Sequence, residues 1–296
     1  MSGADAWQLV KQTAVDWYED KAPQLGASLA FYTALSIAPL LVILLAIAAF
    51  FFGDEAAGGQ IVGELKTLVG DEGGKAIEEM IANANKPSTG GVATVLSVAT
   101  RLFGASGVFG QLQSALNTIW EVQPKPGRGV WGFVRDRFLS FAMIMGMAFL
   151  LLVSLVITAA LAAASNLWSG LDESFAWLGQ GLNLGLSLGL LTVLFAMMFK
   201  LLPDVNMAWS DVWLGGFVTA VLFVIGKFAI GLYLGHSSMA SSYGVAGSFV
   251  VLLVWVYYSA QILFFGAELT QVYANRFGSR ITPAEHAEPL AEGKNA

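Results

Sequence analysis

The stretch Ala22–Gly53, APQLGASLAFYTALSIAPLLVILLAIAAFFFG, contains no charged residue. About 20 apolar residues in a helix cross the hydrocarbon core of a bilayer, and a soluble core helix is rarely this long. Phe138–Leu171, Ser174–Phe199 and Phe228–Ala267 are equally free of charge. Together they specify an all-α, polytopic membrane protein. The composition agrees: 56% of the 296 residues are hydrophobic and 12% are charged, against about 25% charged in a soluble domain.

Apolar runs and the turn residues between them predict six transmembrane helices, at 27–52, 91–119, 138–164, 180–201, 211–235 and 245–272. The second is the least apolar. With both termini cytoplasmic, the inner segments hold Lys11, Lys21, Lys125, Arg128, Arg135, Arg137, Lys200, Arg276, Arg280 and Lys294. The outer segments hold only Lys66, Lys75 and Lys86. That bias satisfies the positive-inside rule. Without the second span, Arg128, Arg135 and Arg137 would join an acidic outer loop, so it is retained.

Residues 1–23 form an N-terminal segment in which Trp7, Val10, Ala14 and Trp17 share a helical face, as in an amphipathic interfacial helix with tryptophan anchors. Residues 24–277 form the membrane domain. Its one long outer loop, 53–90, carries two short amphipathic patterns, Ile61, Val62, Leu65, Leu68, Val69 and Ala76, Ile77, Met80, Ile81. They predict two capping helices. The tail 278–296 is polar and contains prolines, a composition that predicts disorder.

Several function classes are disfavoured. No cysteine is present, which removes disulfides, thiol catalysis and cysteine metal sites. The net charge of −6 argues against a nucleic-acid partner, since phosphate backbones select basic surfaces. The two histidines, His236 and His286, and the outer-loop acids lack metal-ligand spacing. No HExxH motif or P-loop occurs. No cofactor or metal is expected, and an enzyme is not.

Four segments carry a family resemblance: QLGASLAFYTALSIAPLLVI at 24–43, ASGVFGQLQSALNTIWEV at 105–122, LLPDV at 201–205 and YGVAGSFVVLLVWVYYSAQILFFGAELTQVYA at 243–274. Together they resemble the YihY/virulence factor BrkB family, of the UPF0761 type, over about residues 5–277. The resemblance implies a multi-pass protein of the bacterial cytoplasmic (inner) membrane, with six helices and both termini inside. It also implies links to serum resistance and to lipid or solute transport. An older family label, ribonuclease BN, is regarded as a misassignment, and the residues above supply no nuclease site.

Arg101 and Lys227 are the basic residues that fall deep within spans. At 1.5 Å per residue they lie roughly 15 Å and 12 Å below the outer face. Embedded charges usually face a cavity or a partner. Two readings fit: a shared site for an anionic ligand such as a lipid phosphate, or cations that snorkel and cap helix-end carbonyls. Glu268, near the inner end of the last span, is the candidate for proton coupling. Gln261, Tyr258, Asn117 and Tyr32 are candidate cavity-lining residues. Gly104, Gly107 and Gly110 suit a broken second helix, and Pro39 a kink in the first. Gly181, Gly185 and Gly189 repeat at small-xxx-small spacing, which suits helix packing or a homo-oligomer seam. The leading reading is a transporter or flippase-like protein for an anionic lipid or solute. The alternative is a non-transporting envelope scaffold that binds lipid or a partner through the 53–90 loop.

Overall fold

The computed structural model describes residues 3–52, 63, 74, 77–79, 107–126, 132, 138, 142, 146, 176–236 and 247–290. The helices are α1 (Gly3–Glu19) and α2 (Ala22–Phe52), helical residues 107–119 (α3), α4 (Ala176–Leu201), α5 (Trp209–His236) and α6 (Gly247–Arg276). Short strands lie between and after them: β1 (Val122–Pro124), β2 (Val205–Asn206), β3 (Thr282–Pro283) and β4 (Ala287–Pro289). Among the described residues, three segments are long and apolar enough to cross a membrane, at Leu184–Leu201, Trp209–Tyr233 and Phe249–Arg276. α2 carries no charge along its length and stays helical through Pro39.

The core forms where α3, α4, α5 and α6 meet the start of α2, around Leu116, Ile119, Phe199, Val212, Phe264 and Ala267. Glycines set how closely these helices approach. A Cβ on Gly215 of α5 would lie 1.8 Å from Thr270 Oγ1 of α6, and one on Gly266 of α6 would lie 1.9 Å from Thr219 Oγ1 of α5. Each threonine hydroxyl donates to the carbonyl four residues before it, at 2.7 Å. The two helices therefore interlock through reciprocal glycine–threonine contacts, in a solvent that supplies no hydrophobic drive between helices. Gly181, Gly185 and Gly189, expected as a helix-packing or oligomer series, have no described residue within 4 Å of where a Cβ would lie.

The helix ends nearest α1 are built from non-glycine residues in the left-handed region. Lys21 (φ 55°), Glu121 (φ 54°) and Arg280 (φ 60°) follow α1, α3 and α6. Such conformations cost about 1–2 kcal/mol each and persist only where surrounding bonds hold them. After α6, Arg280 N–H donates back to the Ala274 carbonyl at 3.1 Å. Ser279 N–H and Oγ then donate to Asp211 Oδ2, at 3.0 and 2.7 Å. Asp211 lies in the first turn of α5, so the end of α6 is tied to the start of α5.

The expected disorder of the tail does not hold for residues 278–290. β4 pairs antiparallel with β1, and β3 with β2. Lys125 Nζ donates to the Glu285 carbonyl at 2.7 Å, and Leu290 N–H to the Glu121 carbonyl at 2.7 Å. The tail orders by adding its backbone to two inter-helix loops, and such non-local pairing has no compositional signature.

On α1 the expected apolar face of Trp7, Val10 and Ala14 is exposed, and Trp17 departs from it. Leu9 and Thr13 are buried and Trp17 packs against the core, whereas Trp7, Val10 and Tyr18 are exposed. Trp17 belongs with Leu9 and Thr13, on the face turned to α6. At the far end of the bundle, Ile77 is buried against Leu41 of α2 and Leu252 of α6.

Candidate functional site

Three acids near the α1 end are almost wholly buried: Asp204 is 3% exposed, Asp211, which accepts from Ser279, is 4% exposed, and Glu268 is 0% exposed. Asp204 follows Pro203 in the loop between α4 and β2, and donors surround it. Asn117 Nδ2 donates to Oδ2 at 3.1 Å, and Gln113 Nε2 reaches Oδ1 at 3.4 Å. His286 Nε2 lies 2.8 Å from Oδ1. The Asp204 N–H donates back to Asn117 Oδ1 at 2.8 Å, and Ala284 N–H donates to the Asp204 carbonyl at 3.0 Å. One carboxylate thus pins α3, the α4–α5 loop and the tail together. Asn117, expected to line a cavity, is engaged in this node.

Glu268 is different. It lies eight residues before Arg276, about 12 Å from the end of α6 at the helical rise. Neither of its oxygens accepts a hydrogen bond from a conventional donor. The polar group in reach is the Asp20 carboxyl, in the turn between α1 and α2. Asp16 and Glu121 stand close enough to add negative charge. The Asp20 carboxyl is pushed up from the ordinary 3.8 to about 6. Burial is the main cause, and Glu121, Asp16 and Glu19 add to it, while the hydrogen bond with Glu268 opposes it. The indole N–H groups of Trp17 and Trp120 and both amide atoms of Gln261 are likewise buried without a hydrogen-bond partner.

Gln261 and Glu268 are seven residues apart on α6, and so lie on one helical face. Gln261 packs on Gly26 of α2, where a Cβ would meet Nε2 at 2.0 Å. Tyr258 packs on Gly226 of α5, with its hydroxyl 3.4 Å from where a Cβ would lie. The candidate residues Tyr258, Gln261 and Glu268 therefore run along the seams between α6 and its neighbours. Tyr32 is exposed, edge-on to Phe31 with ring centroids 6.0 Å apart. Gly107 and Gly110 are helical, and Gly107 packs beside Ser36 and Tyr32 of α2. Arg101 and Gly104 lie outside the described residues.

Lys227 is half-buried in α5, with its ammonium 5.9 Å from the centroid of the Phe228 ring. Among the described residues it meets no acid within ion-pair distance; the ion pair there is His286–Asp204. Along α5, Lys227 stands about 27 Å from Trp209. The start of α5 and the end of α6 are tied through Asp211 and Ser279, so Lys227 and Glu268 are about 15 Å apart along the bundle. They do not neutralise each other. Among the described residues, no group of three or more histidines and acids converges as a metal site.

The model of the virulence factor BrkB family matches residues 13–291. The chain belongs to the virulence factor BrkB family. This BrkB-family chain is 32% identical over 258 residues to a UPF0761 membrane protein of Psychromonas ingrahamii, covering 85% of this chain and 82% of that one. It is 29% identical over 254 residues to a UPF0761 membrane protein of Vibrio vulnificus, covering 84% and 76%. With a UPF0761 membrane protein of Rhodospirillum centenum it shares 27% over 284 residues, 94% of this chain but 60% of the longer relative. No solved structure matches it. Its relatives and its apolar helices make it an integral membrane protein.

Sequence reasoning missed Asp20 and His286. Asp20 sits in Glu19-Asp20-Lys21, which reads as a solvated turn. His286 sits in a tail whose composition predicts disorder. Neither carries a local signal, because each acquires its partner through a long-range contact.

Proposed function

We propose that this BrkB-family protein is a six-span carrier of the bacterial inner membrane, moving an anionic lipid or anionic solute in a transporter or flippase-like manner. The supporting observation is a pair of embedded ionisable side chains, Lys227 and Glu268, that stand apart and, among the described residues, meet no counter-charge. Such groups are costly in hydrocarbon, about 2.5–3.5 kcal/mol on insertion scales, and mark ligand pathways and proton relays. In this reading Lys227, with Arg101, binds the anion, and Glu268 couples its passage to protons. Both termini are cytoplasmic, so Glu268 lies towards the inner face. The exposed Gly181, Gly185 and Gly189 form the seam of a homo-oligomer.

Native mass spectrometry of wild type beside Arg101→Gln/Lys227→Gln tests the anion site. Anionic lipid retained by the wild type and lost from the folded double mutant is the expected result, to be followed by a flipping assay in vesicles. Equal retention in both, with small anions also failing to bind, sinks the carrier reading and favours a scaffold.

A further inference from the structure

Glu268 is 0% exposed and no conventional donor reaches either oxygen. What faces it is another acid, Asp20, within hydrogen-bonding reach. Two carboxylates are acceptors only, and a hydrogen bond between them requires that one carry a proton. Both charged, they would repel in surroundings that screen poorly. We propose that Glu268 and Asp20 form a proton-binding site that holds one proton between them at neutral pH, the Glu268 hydroxyl donating to Asp20, and that this proton fastens α1 to the last span.

Among the described residues the surroundings supply no other compensation. Around Asp20, α1 presents Asp16 and Glu19, and the turn after α3 presents Glu121. α2 carries no charge. Lys21, the next residue, is exposed. The nearest cation further along α6, Arg276, is engaged by Gln8 Oε1 at 2.6 Å. Among the described residues, no cation pairs with either carboxyl. Placing the proton on Glu268 leaves the wholly buried member neutral and the charge on Asp20, which is half-buried. Exchange with solvent therefore runs through Asp20. When the pH falls through about 6, Asp20 takes up a second proton and both members become neutral.

The geometry ties this site to the docking of α1. Gln8 meets Arg276 at one end of the helix pair, and Asp20 meets Glu268 at the other. α1 thus runs antiparallel to the last turns of α6 and is held polar-to-polar at both ends, with Leu9 and Thr13 buried between. The inference does not depend on transport. It would hold equally for a scaffold.

Infrared difference spectroscopy of the full chain in lipid nanodiscs, in H2O and D2O at pH 7.5, reads the proton directly. Wild type should show the carbonyl band of a protonated carboxyl, lost in Glu268→Gln and shifted in Asp20→Asn. No such band in wild type, or one unmoved by Asp20→Asn, would overturn the shared proton. Hydrogen exchange of residues 3–19 reads the fastening. α1 amides should exchange about tenfold faster in Glu268→Ala, as expected for loss of one hydrogen bond. Glu268→Gln, whose amide can still donate to Asp20, should match wild type. If Glu268→Ala does not fold, Asp20→Ala, outside the spans, serves in its place. Unchanged α1 protection in the folded alanine variant would overturn the fastening.

Discussion

Asp204 and Glu268 sit in the same half of the molecule, both nearly inaccessible to water, and their surroundings are opposite. Three side chains, two from α3 and one from the tail, converge on Asp204. Glu268 has a second acid and buried polar atoms that find no partner. A buried polar group costs free energy unless it is hydrogen-bonded, and a buried charge costs more unless it is compensated. Asp204 meets that requirement and holds loops together. Glu268 meets it only by carrying or sharing a proton. The difference separates an acid held by donors from one that faces another acid.

The contrast is sharpest on truncation. Asp204→Ala strips the acceptor from Asn117, Gln113 and His286 at once. It should cost about 3 kcal/mol or more, since each buried donor left unpaired costs about 1–3 kcal/mol. Thermal unfolding in detergent, with proteolysis of the tail as a second readout, measures this; an unchanged midpoint and an intact tail would remove Asp204 from its architectural role.

A smaller effect separates the two acids by pH. The folded-state value of Asp20, about 6, stands above the ordinary 3.8. The folded chain therefore binds more protons than the unfolded chain between those values, so this contribution to stability falls as pH rises from about 4 to 6 and is level above. After solvent screening the change should be about 1 kcal/mol. Comparing wild type with Asp20→Asn across that range isolates it. A wild-type slope that persists in Asp20→Asn would assign the effect elsewhere.

The smallest effect is the isosteric change at the buried acid itself. Glu268→Gln mimics the protonated side chain and keeps a donor facing Asp20, so stability should move by no more than about 0.5 kcal/mol. A loss of several kcal/mol on differential scanning would mean that Glu268 is ionised and compensated like Asp204, and the comparison would collapse.

Much of the architecture was legible in the chain. Uninterrupted apolar runs reveal membrane helices because the bilayer demands a length that no loop supplies. The motifs at 24–43, 105–122 and 243–274 carried the family. Glu268 was recognisable as a candidate because an acid within an apolar run is conspicuous. Its neighbourhood was not. Asp20 lies in a charged turn, and α1 was read with Trp17 on the wrong face, since Leu9, Thr13 and Trp17 reveal their shared side only when α6 lies against them. The regular series at Gly181, Gly185 and Gly189 stands out in the sequence, whereas Gly215 and Gly266, which pack on Thr270 and Thr219, do not. Spacing within one helix says nothing of which partner supplies the facing threonine.

The sequence by itself determined that this chain lives in a membrane, where the long helices among the described residues run, and that few ionisable groups lie inside them, because burial in hydrocarbon is dictated by side-chain chemistry along the chain. Tertiary structure alone decided that a polar tail would become two strand pairings, that Asp204 would be surrounded by donors and that Glu268 would face another acid. Compensation of a buried charge is a property of the groups that folding brings beside it.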